Sequence, residues 1–85
     1  PGSRLGFQLQ GHHLLLPAED AVYFVDLRRH QVRSIGIYML NRVHPLRRGY
    51  LIAGVNGILR TDAAGHEAFW FAWSQFHPDT ALWMP

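Results

Sequence analysis

Six histidines and six carboxylates are the side chains of this sequence best suited to chemistry. A metal centre needs three or four donors converging at about 2.0–2.2 Å on one ion. His12 and His13 are adjacent, and neighbours on a strand point to opposite faces, so only one of them is expected to join any given site. His44, His66 and His77 stand apart, in loops or at element ends, and no H-E-x-x-H spacing occurs. A site built from His13, His44, His66 and His77 would depend wholly on tertiary proximity. The reading is of polar loop histidines, with no metal and no cofactor expected.

Acid–base catalysis needs two placed carboxylates, or a carboxylate beside a histidine. Glu19, Asp20, Asp26, Asp62, Glu67 and Asp79 are the acids. Asp20 and Asp62 read as turn or cap residues, and Asp26 as half of a cross-strand pair with Arg33. The local pairs His66–Glu67 and His77/Asp79 have ordinary explanations at the ends of an element. No serine lies in a nucleophile motif. Gly54-Val-Asn-Gly57 lacks the lysine and following helix of a phosphate loop. No catalytic residue is assigned, and the chain reads as a non-enzyme.

Two surface features remain. Phe69, Trp70, Phe71, Trp73, Phe76 and Trp83 place six large rings within fifteen residues. One helix against one sheet cannot hide them all, and aromatic residues are enriched at binding hot spots. The expectation is a protein-binding or assembly module that uses this segment, either with a protein partner or with itself as a homodimer. Arg28, Arg29, Arg33, Arg47 and Arg48 give the alternative, a small β-barrel that contacts nucleic-acid phosphates. A net charge of +2 argues weakly for it.

These candidates must be carried by few elements. The chain has 85 residues, 48 % of them apolar, and eleven aromatic rings. That is one small domain with a modest core. Pro1-Gly2-Ser3 reads as the remnant of a cleaved tag, which leaves a single domain over 4–85. There is no cysteine, hence no disulfide or thiolate site; this fits a reducing cytoplasm. All eight basic residues are arginine, a bias associated with GC-rich bacterial genomes. No apolar run reaches the roughly 18–20 residues of a membrane span. No internal repeat of 20–50 residues is evident.

Turn chemistry supplies the elements. Asn56-Gly57 between apolar runs predicts a type I′ hairpin that pairs Val55 with Ile58 and Ala53 with Arg60. Gly11-His12 predicts a type II′ hairpin pairing Gln10 with His13, Leu9 with Leu14 and Phe7 with Leu16. Residues 22–27 and 32–40 read as two strands joined by the loop 28–31, with Asp26 opposite Arg33 and Val22 opposite Ile37. Residues 41–49 read as the longest connection, because Pro45 and Gly49 interrupt it. Beyond Asp62, the i, i+4, i+7 spacing of Phe69, Trp73 and Phe76 favours a helix ending at Phe76, with a strand over 67–76 as the alternative. The tail 81–84 is expected to add an edge strand or tuck onto the core. The fold class expected is mainly β (α+β): an antiparallel meander of five or six strands, twisted or partly closed into a barrel, with one short C-terminal aromatic helix.

Overall fold

The computed structural model describes residues 6–75. The chain is mainly β: eight strands form two antiparallel four-stranded sheets, each in simple sequential order. The first sheet holds β1 (Gln8–Gln10), β2 (His13–Pro17), β3 (Ala21–Asp26) and β4 (Gln31–Gly36). The second holds β5 (Arg42–Leu46), β6 (Gly49–Ala53), β7 (Gly57–Thr61) and β8 (Glu67–Ala72), followed by one 3₁₀ turn, Trp73–Gln75. Among the described residues there is thus no single sheet of five or six strands and no closed barrel. Among the described residues, no helix is long and apolar enough to cross a membrane.

The expected C-terminal helix is a strand. Asp62 caps a turn instead of a helix: its Oδ1 accepts the N–H groups of Ala64 and His66. The residues that follow are aromatic and pair with β7, a setting that favours extended backbone. Phe76, Trp83 and the expected tail strand lie outside the described residues.

The hairpins form with mixed registers. The Gly11-His12 turn is as expected, with Gln10 opposite His13 and Leu9 opposite Leu14. Gly11 has φ +62° while His12 is not left-handed, the pattern of a type II′ turn. The other two registers each slip by two residues. Asp26 faces Gln31 rather than Arg33, and Val22 faces Ile35 rather than Ile37. The cause is Asp26 itself: its Oδ1 accepts the N–H groups of Arg28 and Arg29, and His30 closes the loop with φ +56°. Ala53 likewise faces Ile58, not Arg60, around a loop of 54–57. Neither Asn56 nor Gly57 is left-handed, so no type I′ turn forms. A two-residue slip preserves which side chains share a face. The supposed long connection is β5, an edge strand, where Pro45 is tolerated.

The second sheet repeats the first. Strands β2, β3 and β4 begin at residues 13, 21 and 31, and β6, β7 and β8 at 49, 57 and 67, each 36 later. The registers shift together. Leu9–Leu14 becomes Pro45–Tyr50, Leu15–Phe24 becomes Leu51–Arg60, and Val22–Ile35 becomes Ile58–Phe71. Loop hydrogen bonds recur as well. Ile37 N–H donates to Asp20 O at 2.9 Å, and Trp73 N–H donates to Asn56 O at 2.9 Å. Over 13–36 against 49–72, only Leu15/Leu51, Asp26/Asp62 and His30/His66 are identical. That is why no repeat is evident in the sequence. The bulge at Arg60/Thr61 is the one slip, bringing Glu67 opposite Thr61.

The core lies between the sheets. Leu15, Val22, Phe24 and Ile37 pack with Tyr50, Ile52 and Leu59, all buried. Each contributes roughly 1.5–3 kcal/mol by leaving water. A side-chain latch joins the sheet ends: Gln10 donates to the carbonyls of Leu46 and Gly49 and accepts the N–H of Gly49.

Candidate functional site

Alternation along each strand determines what the two sheets present outward. On the first sheet, Leu9, Leu14, Val25 and Val32 stand opposite one another and form one apolar row across all four strands. Leu16 and Tyr23 form the next row, ending on Ser34. Leu9 is 55 % exposed, Tyr23 40 % and Val32 66 %. An antiparallel sheet normally turns polar residues to water on its open side. Here the outward face of β1–β4 is almost wholly apolar. In the first hairpin, Leu9 and Leu16 face outward while Leu15 between them is buried.

The repeat gives this face its meaning. Shifted by 36 residues, Leu14, Leu16 and Tyr23 become Tyr50, Ile52 and Leu59, which are core residues. Conversely, the buried Leu15, Val22 and Phe24 become Leu51, Ile58 and Arg60, which lie on the far side of the second sheet. The two sheets therefore stack face to back, as successive units of an array do, and not as mirror halves. Among the described residues, each has one face that no sheet covers. The second sheet's outward face carries the rows His44–Leu51–Arg60–Phe69 and Arg42–Ala53–Ile58–Phe71.

The aromatic residues singled out from sequence divide between the two faces of this sheet. Phe69 and Phe71 belong to the outward face. Trp70 ends the inward row Val43–Ile52–Leu59–Trp70, and its ring crowds Gly57, where an added Cβ would come within 2.8 Å of it. Trp73 donates from Nε1 to Gly54 O at 3.1 Å and covers the 54–57 loop. Phe69 and Trp70 remain about half exposed. The alternation of Leu14, Leu16, Tyr23 and Val25 is visible in the sequence, but which face of the sheet is left uncovered is not, because a buried and an uncovered apolar face alternate alike.

A second feature lies at the hairpin ends. An open cleft of about 670 Å³ is lined by His12, His13, Phe24, Asp26, Arg28, Arg29, Arg33 and His66, among others. His12 and His13 do converge, contrary to the strand-based expectation. His12 belongs to the turn, where strict alternation does not hold, and the two rings lie 4.4 Å apart. His12 Nε2 is 3.8 Å from Asp26 Oδ1, and His13 Nε2 is 3.5 Å from Asp26 Oδ2. The Arg29 N–H holds the Asp26 carboxyl below its ordinary range, against the opposing effect of burial, with the Arg28 N–H, His12 and His13 adding to the lowering. His66 pairs with Asp62 at 3.0 Å. Of the five candidate arginines, Arg28, Arg29 and Arg33 line the cleft, while Arg47 and Arg48 form the β5–β6 turn.

No family model matches this chain, and neither the curated proteins nor the solved structures contain a significant match.

Proposed function

We propose that this chain is a self-assembly module in which the outward face of β1–β4 receives the outward face of β5–β8 from a second copy. The observation that carries the reading is the outward Leu9–Leu14–Val25–Val32 row, exposed at Leu9 and Val32 and half-buried at Leu14 and Val25, whose counterpart face in the second sheet forms the core. The occupant follows from the stacking. What rests on the second sheet's inward face is the Leu15/Val22/Phe24 face of the first sheet, and the equivalent of that face is the Leu51/Ile58/Arg60 face, which no other sheet covers among the described residues. Phe69 extends it, so the aromatic segment takes part through this ring.

Such a contact is heterologous: two different surfaces meet, and rings result if the rotation closes. Four-stranded meanders repeated face to back are the construction of β-propellers, which close at about four to eight sheets. With two sheets per chain, closure takes about two to four copies. Filaments result if the rotation does not close.

Cross-linking distinguishes this from a two-fold dimer. The Phe24–Tyr50 ring contact, 6.1 Å between centroids, maps onto Arg60 of one copy against Leu14 of the next. The chain has no native thiol. The double variant Leu14→Cys/Arg60→Cys should give a ladder of covalent oligomers with a short bismaleimide, and Leu14→Cys alone should give none. Efficient cross-linking of Leu14→Cys alone would mean like faces meet, and would overturn the head-to-tail reading. The nucleic-acid alternative has three of its five arginines in the cleft and two on a separate turn; retention on heparin that falls steeply with salt would revive it.

A further inference from the structure

We infer that His12, His13 and Asp26 form a binding site for a divalent transition-metal ion of the Zn²⁺, Co²⁺ or Ni²⁺ type. The three side chains offer two imidazole nitrogens and one carboxylate oxygen, all within 4.8 Å of one another. Tetrahedral Zn²⁺, with bonds of about 2.0–2.1 Å, sets its donors roughly 3.3–3.4 Å apart. The His13 Nε2–Asp26 Oδ2 separation of 3.5 Å already nearly matches this, and His12 Nε2 stands 3.8 Å from the same carboxylate on a side chain that is 43 % exposed. Mixed imidazole and carboxylate donors favour these ions over Ca²⁺ or Mg²⁺, which take oxygen ligands.

The Asp26 carboxylate is prepared for this role. Oδ1 accepts the Arg28 and Arg29 N–H groups at 3.0 and 2.9 Å, which fixes its plane and leaves Oδ2 for the ion. Such outer hydrogen bonds are what orient a metal ligand. The repeat supplies an independent argument. Asp62 is the counterpart of Asp26 and closes its own turn through backbone N–H groups in the same way, but the counterparts of His12 and His13 are Arg48 and Gly49. The turn therefore needs the carboxylate and has no need of the paired imidazoles. They are an addition peculiar to the first sheet.

Three protein donors leave a fourth position open toward the cleft. Arg28, Arg29 and Arg33 line that cleft, so the group best suited to the open position is an anion, or the hydroxide formed from bound water. The site lies on the inward side and hairpin end of the first sheet, apart from the outward face used in assembly.

Co²⁺ titration followed by visible absorption reads the coordination directly. The wild type should develop the intense d–d bands of a four-coordinate ion at one equivalent per chain. His13→Ala and Asp26→Asn should each weaken binding at least tenfold, while His44→Ala leaves it unchanged. Asp26→Asn keeps an oxygen for the turn and so keeps the fold, which far-UV circular dichroism verifies. The weak pink spectrum of six-coordinate Co²⁺, or bands that persist undiminished in His13→Ala, would overturn the assignment and leave a simple histidine–aspartate ion pair.

Discussion

Tyr23 and Leu59 occupy the same position in successive repeats, 36 residues apart, yet Leu59 is 2 % exposed and Tyr23 is 40 % exposed. Leu59 meets the first sheet across the core. Tyr23 points from the equivalent face with no sheet above it among the described residues. This inequality between equivalent residues is the physical basis of the assembly proposed above.

The glycines at the hairpins test the packing. Gly49 has φ +108°, and an added Cβ would lie 2.0 Å from Thr61 O. Gly49→Ala should destabilise the fold by about 3 kcal/mol or more, since backbone cannot give way as a side chain can. Gly11 also has positive φ, +62°, but open space around it. Gly11→Ala should cost only about 1 kcal/mol. Denaturant unfolding of the two variants separates the contact from the dihedral; equal losses would contradict the close approach of β6 to the end of β7.

Tyr50 and Thr61 face one another across β6 and β7, both wholly buried, and neither hydroxyl has a hydrogen-bond partner among the described residues. An unsatisfied buried hydroxyl costs about 1–3 kcal/mol. Thr61→Val and Tyr50→Phe should therefore be neutral or stabilising, by up to about 1 kcal/mol each. Burial also pushes the Tyr50 phenol above its ordinary value of 10.0. Its contribution is complete below pH 10 and is lost as pH rises through the folded value. Thermal melts carried from neutral pH to above pH 10 should show Tyr50→Phe losing less stability than the wild type. A clear destabilisation by both substitutions at neutral pH would reveal a partner for these hydroxyls.

Acid should open the turns. The Asp26 carboxyl is lowered, chiefly by the Arg29 N–H. For Asp62, burial acts to raise the value, but the His66 N–H, the His66 ring and the Ala64 N–H outweigh it, and the net shift is downward. Both groups release protons more easily in the folded chain, so their stabilisation is complete above the unfolded value of about 3.8 and is lost as pH falls below it. Asp26→Asn should be less stable than the wild type at pH 7, with the gap closing below pH 4. A gap that persists unchanged at pH 3 would mean that the carboxylate's charge plays no part.

Much of the β architecture was legible in the residues. Gly11-His12 specified its hairpin and register because glycine at the first turn position leaves few alternatives. Where side chains closed the loop, as Asp26 does with the Arg28 and Arg29 N–H groups, residue type alone did not set the loop length, and the register slipped by two. The helix expected over the aromatic segment failed because Phe69 and Trp73 satisfy a helical spacing and an alternating one equally well. The repeat stayed hidden because its conserved content is register and hydrogen bonding, carried by different residues at nearly every position. The convergence of His12 and His13 was not legible because strand alternation was applied to His12, which is turn, and Asp26 was read against Arg33.

The outward face of β1–β4 should control association without controlling folding. Val25 sits within its central row, opposite Leu14 and Val32, and outside the core. Val25→Glu places a charge where a second sheet would cover it, at a cost of several kcal/mol to the contact unless it is neutralised. The folded chain should keep its circular dichroism spectrum and unfold within about 1 kcal/mol of the wild type once association is accounted for.

Sedimentation velocity across a range of concentrations tests the central claim most directly. The wild-type chain, 9.8 kDa, should sediment as a closed assembly of about two to four copies or as longer head-to-tail species, and Val25→Glu as a single copy with its fold retained. A wild type that stays monomeric at every concentration, or an assembly that Val25→Glu leaves intact, would contradict it.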